Sequence, residues 1–219
     1  MPTRGAFITL EGIEGVGKST SIGCIERLIA DAGHAVIVTR EPGGTPLGEH
    51  IRDWILDAEH EKLSPEVEAL LMFAARGYHM DNVIRPALAA GLWVICDRFT
   101  DATYAYQGGG RGADRGLLDT LRNAVHAGID PDLTLLLDAP VEIGRARIAG
   151  RAPDHFERES REFFERVRAC YLALAAEAPD RFKVVDATAS LENVEQHVEA
   201  ALAEFLLRFA RESNDRAHG

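Results

Sequence analysis

The sequence predicts an α/β fold in three layers, a five-stranded parallel sheet with helices on both faces. Three observations carry this. Five short runs of aliphatic and β-branched residues, at 6–10, 35–39, 92–96, 133–137 and 182–185, hold one charge between them, Lys183. Apolar runs of that length suit strands buried on both faces. Amphipathic patterns of helical period fill the gaps, and this alternation yields parallel strands joined by helices. The composition, 46% hydrophobic and 27% charged over 219 residues, is that of an ordinary folded domain. It excludes a disordered chain, a collagen-like repeat and a small disulfide scaffold.

The elements follow in order. The run at 6–10 is the first strand. Ile22, Ile25, Leu28 and Ile29 mark one face of the first helix, which Gly33 can end. After the strand at 35–39, Ile51, Trp54 and Ile55 mark a second helix. Residues 67–90 form a long helical stretch with Pro65 near its start, where the missing N–H of proline costs nothing. The third strand, 92–96, precedes a helix marked by Leu117, Leu118, Leu121 and Val125. The fourth, 133–137, precedes one marked by Phe163, Phe164, Val167, Tyr171 and Leu174. The fifth, 182–185, leads to a last helix marked by Leu191, Val194, Val198, Leu202 and Phe205. The polar tail at 211–219 predicts a frayed end. There is no repeat and no linker, so residues 1–219 read as a single domain. The charged segment at about 150–159, with Gly150 and Pro153, separates two helices and reads as a surface loop or a mobile lid.

Acids outnumber bases 35 to 24, a net charge of -11. That disfavours nucleic acid and anionic membrane as partners. No apolar run approaches a membrane span and the chain opens without a signal peptide. Cys24, Cys96 and Cys170 have no metal-type spacing and read as reduced core thiols. The expected location is the cytoplasm.

Gly12-Ile13-Glu14-Gly15-Val16-Gly17-Lys18-Ser19 matches G-x-x-x-x-G-K-[ST] between the first strand and the first helix, the setting this phosphate-binding loop requires. Glycines let successive backbone N–H groups turn toward a phosphate, and the helix N-terminus adds a positive dipole end. Lys18 can bridge β- and γ-phosphates, and the Ser19 hydroxyl can hold Mg²⁺. With Thr20, residues 12–20 form the nucleotide site, and ATP is the expected donor. Switch GTPases share the loop, but none of the three lysines stands in N-K-x-D. A nucleotide-dependent switch or a partition ATPase remains the alternative of a different class.

Two further loops follow strands and should converge on the same crevice. One is Arg40-Glu41-Pro42-Gly43-Gly44-Thr45 and the other Asp97-Arg98-Phe99. Two arginines beside a triphosphate site argue for a second phosphorylated substrate. Asp97 can hold Mg²⁺ or pair with an arginine. On the long helix, Phe73 and Arg76 share a face, an aromatic plane beside a cationic donor that suits a nucleobase.

Taken together, these residues resemble the bacterial thymidylate kinases, from Phe7 to about Phe205. The resemblance rests on the phosphate loop, on Thr39-Arg-Glu-Pro-Gly-Gly-Thr45, Leu71-Met-Phe-Ala-Ala-Arg76, Asp97-Arg98 and Ala105-Tyr-Gln-Gly-Gly-Gly-Arg111. Pro131-Asp-Leu-Thr-Leu-Leu-Leu-Asp138 and Asp186-Ala-Thr188 complete it. It implies a phosphate-loop nucleoside monophosphate kinase that transfers the ATP γ-phosphoryl group to dTMP with Mg²⁺, in dTTP biosynthesis. A kinase for UMP or dUMP is the nearest alternative. It also implies a homodimer.

Position by position, the resemblance gives catalytic roles to Lys18, Glu14, Asp97 and Arg98, and the metal to Ser19 and Asp97. Glu14 matches an acid near the acceptor's 3′-hydroxyl, and Arg98 the acceptor-phosphate ligand. Phe73 matches the thymine-stacking residue and Arg76 the O4 donor. Thr103 and Gln107 line the base pocket, and Tyr106 lies under the deoxyribose. Arg145 neighbours the adenine. Some relatives carry a catalytic arginine inside the phosphate loop where this chain has Gly15, so a lid arginine is expected to supply that charge. The candidates are Arg147, Arg151 and Arg158, with Arg151 placed first. The lid departs from the common Asp-Arg pattern with Asp154-His155, and His155 reads as a surface histidine.

Overall fold

The computed structural model describes residues 4–57, 63–149 and 155–218, with residues 212–218 as backbone alone. Among them five strands form one parallel sheet. Its order is β2 (Val36–Arg40), β3 (Trp93–Asp97), β1 (Phe7–Glu11), β4 (Leu133–Asp138) and β5 (Phe182–Asp186). Each strand reaches one residue past the apolar run that predicts it. Those five last residues are Glu11, Arg40, Asp97, Asp138 and Asp186. They still share the ladder while their side chains rim the carboxyl edge, the edge where open parallel sheets bind ligands.

Burial on both faces holds for the three inner strands. It does not hold for β2 and β5, where Val38 and Val184 are exposed. They are the two edge strands of the sheet, and each leaves part of one face open to solvent.

α1 (Lys18–Asp31) and α9 (Leu191–His218) pack together on one side of the sheet. Their Ile25, Ile29, Val198 and Leu202 are fully buried in the main core. A smaller core forms where Phe7, Val94 and Cys96 meet Met80, Ile84 and Leu88. Helix α9 runs to His218, so the polar tail is helical where it is described.

α2 (Pro46–Leu56) is capped by Thr45, and α3 (Pro65–His79) by Ser64, each with proline at its start. The long predicted helix continues from α3 through a π turn, Met80–Ile84, into α4 (Arg85–Ala89). α6 (Arg115–His126) and α8 (Arg161–Glu177) follow their hydrophobic patterns, and α7 (Val141–Ile148) follows β4.

One helical stretch carries no clear signal in the sequence. α5 (Thr100–Thr103) runs into a π turn, Tyr104–Gly110, through three glycines that read as loop. Packing overrides propensity there. A Cβ on Gly109 would lie 2.6 Å from Cys170 Cβ, and one on Gly110 2.5 Å from the Phe163 ring. The glycines let α8 approach the turn that carries Tyr106 and Gln107 closely.

Candidate active site

The phosphate loop turns between β1 and α1. Gly12, Gly15 and Gly17 have φ of 134°, 75° and 97°, a region closed to most side-chain-bearing residues. A Cβ on Gly15 would lie 2.1 Å from the Gly144 carbonyl oxygen. An arginine cannot stand at position 15 without displacing α7. No side chain caps α1, and its first turn holds no acid. Its leading N–H groups are therefore left for an anion. Ser19 and Thr20 are exposed in that turn.

Lys18 folds back over the loop, its Nζ donating to the carbonyls of Gly12 at 3.1 Å and Ile13 at 2.9 Å. Burial pushes its pKa down to about 8, and the Arg98 charge adds to this, against the pull of Asp97, Glu14 and Glu11. An anion in the loop stabilises the charged form. kcat/KM for a triphosphate is therefore expected to fall above about pH 8. kcat at saturation should hold to higher pH, because the bound phosphates keep Lys18 protonated. Profiles of the two parameters check this; identical falls would contradict it.

A cavity opens in front of the loop. Glu14, Gly15, Lys18, Asp97, Arg98 and Tyr106 line it, together with Arg76, Thr103 and Gln107. Sequence reasoning therefore brings most of its candidates to one place. Arg98 sits at φ 67°, unusual for a side-chain-bearing residue. Its Nη1 donates to the Gly12 carbonyl at 2.8 Å and its Nη2 to Glu14 at 2.9 Å. The Tyr106 hydroxyl also donates to Glu14, at 2.7 Å. Glu14 thus ties the loop to both Arg98 and Tyr106.

Arg76 is buried beside Glu41, to which its Nε donates at 2.7 Å, while Nη2 donates to the Phe99 carbonyl and Thr103 Oγ1, each at 3.1 Å. Its Cζ lies 4.7 Å from the Phe73 ring centroid. Among the described residues, two buried side-chain polar atoms lack a hydrogen-bond partner: Arg76 Nη1 and Asp97 Oδ1. Both residues line this cavity. An unpaired buried donor and acceptor are costly unless a ligand satisfies them.

Several expectations change. Arg40 stands off the cavity: Glu49, which also accepts from Gly44 N–H, holds its guanidinium at 2.8 Å on the exposed side of α2. Arg52 lines the cavity instead. Phe73 is buried under Arg76, and Met72 takes the wall position from α3. Arg145 lines a second cavity with Ile13, Val141 and Phe164, beside the loop. Arg147 donates to the Ala187 carbonyl at 3.0 Å. Arg158 is exposed, and Arg151 lies outside the described residues. His155 is no plain surface histidine: its Nε2 meets Arg111 Nη2 at 3.0 Å.

Other site residues gave no sequence signal of their own. Buried Glu11 accepts from Phe99 N–H at 2.7 Å and from the Tyr171 hydroxyl at 2.8 Å. That hydroxyl in turn accepts from Arg98 at 3.2 Å. Burial first, and then the nearby Asp101 charge, push the Glu11 carboxyl up to about 8. Phe156 and Glu157 also line the cavity. Their distance in sequence from the loop hides them from any motif.

The sequence model of the thymidylate kinase family matches residues 10–198. The chain is 56% identical over 203 residues to the thymidylate kinase of Cupriavidus pinatubonensis, covering 91% of this chain and 98% of that one. It is 58% identical over 202 residues to that of Cupriavidus metallidurans, with the same coverage, 91% and 98%. The crystal structure of thymidylate kinase from Ehrlichia chaffeensis superposes with a TM-score of 0.72 at 33% identity, covering 93% of this chain and 99% of the other.

Proposed function

The chain belongs to the thymidylate kinase family, and we propose that it transfers the γ-phosphoryl group of ATP to dTMP, giving dTDP and ADP. One observation carries the reading. A single cavity joins a phosphate loop, through Arg98, to a pocket with an unpaired buried donor on Arg76.

Backbone N–H groups of the loop, Lys18 and the first turn of α1 receive the triphosphate, and Arg145 lies in the second cavity on the donor side. Arg98 and Arg52 receive the acceptor phosphate. The free Nη1 of Arg76 donates to a base carbonyl, with Thr103, Gln107 and Met72 around the ring and Tyr106 beside the sugar. Glu14 orients both Arg98 and Tyr106.

The residues fit Mg²⁺, since Asp97 offers a buried carboxylate oxygen with no partner and Ser19 an exposed hydroxyl. Bound there, Mg²⁺ neutralises charge on the transferring phosphates. The chain's own part is positioning and charge: two anions are held in line, and Lys18 follows the γ-phosphoryl group as its charge spreads. With no room at Gly15 and Arg147 held by Ala187, Arg151 and Arg158 are the lid arginines left for the transferred group. Phosphorus NMR of a mixture with ATP, Mg²⁺ and dTMP tests this: dTDP and ADP should appear in equal amounts. ADP with free phosphate instead would contradict it.

We propose a homodimer through α2 and α3. Val67, Leu70 and Tyr78 are exposed at helical spacing on α3, beside exposed Leu47 and Trp54 on α2. Light scattering should give twice the chain mass, and Leu70→Glu should give a monomer. A monomeric native protein would contradict it. No helix of the described residues is long and apolar enough to cross a membrane. The free thiols and the use of ATP support a cytoplasmic location.

A further inference from the structure

Glu68 lies on α3, outside the cavity wall, with its side chain 3% exposed. Its Oε2 accepts two hydrogen bonds, from Gln107 Nε2 at 3.0 Å and from Arg111 Nε at 3.0 Å. Arg111 is itself fixed. Nη1 donates to Glu159 at 2.9 Å and Nη2 meets His155 at 3.0 Å. Its Cζ lies 5.4 Å and 5.6 Å from the ring centroids of Phe156 and Phe163. An arginine held on all sides cannot swing away from Glu68.

A carboxylate in an ion pair with arginine accepts hydrogen bonds and donates none. The Gln107 amide must therefore turn its NH₂ toward Glu68. That leaves Oε1, an acceptor, as the amide atom free to meet a ligand in the cavity that Gln107 lines. The second free group there is a donor, Arg76 Nη1. Thymine and uracil present an N3–H donor beside the O4 acceptor. Cytosine presents the reverse, an N3 acceptor beside an amino donor. One acceptor and one donor match the first pattern and leave unpaired groups against the second.

We infer that Glu68 is a specificity-determining positioning residue: it locks the Gln107 amide so that Oε1 faces the base, admitting a pyrimidine with N3–H and rejecting cytosine. This rests on dTMP being the acceptor. Sites built on such hydrogen bonds reject a mismatched base strongly, because the mismatch strands buried polar groups.

Glu68→Gln tests it. A glutamine both donates and accepts, so the Gln107 amide can turn over. The kcat/KM ratio of dUMP to dCMP should fall about tenfold or more. The ratio of dTMP to dUMP, set by one methyl group, should stay within about twofold. Equal losses for all three acceptors, or a dUMP to dCMP ratio that does not move, would overturn the inference. If Glu68→Gln fails to fold because Arg111 is left unpaired, the double variant Glu68→Met/Arg111→Met removes the whole ion pair, which proteins often tolerate. It frees Gln107 equally and should show the same fall in ratio. Failure of the native protein to phosphorylate dTMP would count against the kinase reading instead, and is seen before any variant is made.

Discussion

Lys18→Ala is expected to lower kcat about a thousandfold or more, with a much smaller change in the KM for dTMP. Of the two described lysines, Lys18 and Lys183, Lys18 is the one that lines the cavity at the phosphate loop. Its ammonium rests on two loop carbonyls, ready to transfer to an incoming phosphate. Removing one preorganised group that stabilises transition-state charge typically costs about 3–4 kcal/mol, and a full charge in a partly dry site is worth at least that. Alanine removes little packing, so the melting temperature should move by only a few degrees. Steady-state rates and a melt of the same preparation decide the point. Turnover within tenfold of the native protein would show that the loop binds nucleotide without acting on it.

Arg98→Ala should lower kcat/KM for dTMP by a comparable factor, but through both parameters. Arg98 lines the cavity where the acceptor phosphate is proposed to lie. Two charge-assisted hydrogen bonds of about 1.5–3 kcal/mol each would be lost. The same guanidinium also holds the Gly12 carbonyl, the Tyr171 hydroxyl and Glu14, so its loss loosens the phosphate loop and frees Glu14 to repel phosphate. KM for dTMP should therefore rise and kcat should fall. Arg98→Lys should recover little, since an ammonium cannot reach Gly12 and Glu14 together. A rise in KM alone, with native kcat, would reduce Arg98 to a binding residue.

Much of this site is legible in the sequence, for a physical reason. The phosphate loop needs glycine where backbone must turn and lysine where charge must arrive, so its spacing is fixed locally. The strands are legible because burial on two faces leaves an apolar run. Arg98 and Asp97 are legible because they end such a run. The rest depends on contacts between distant segments. Arg40 and Arg52 both belong to the region around α2, and only the position of Glu49 decides which of them leaves the cavity. Phe73 and Met72 are adjacent in sequence, and the rotation of α3 decides which lines the wall. The helical turn through Gly108, Gly109 and Gly110 exists because α8 packs against it. Glu68 and Arg111 form their ion pair 43 residues apart, with no pattern between them to announce it.

The central claim is that the pocket beyond Arg98 selects a thymidylate. The most direct test is one assay of ADP release with ATP and Mg²⁺ against dTMP, dUMP, UMP, dCMP and AMP at equal concentration. The expected result is acceptor-dependent turnover with the highest kcat/KM for dTMP. Weaker use of dUMP is expected too, since one methyl group contributes only about 1–3 kcal/mol. ADP release that needs no acceptor, or a higher kcat/KM for AMP or UMP than for dTMP, would contradict it.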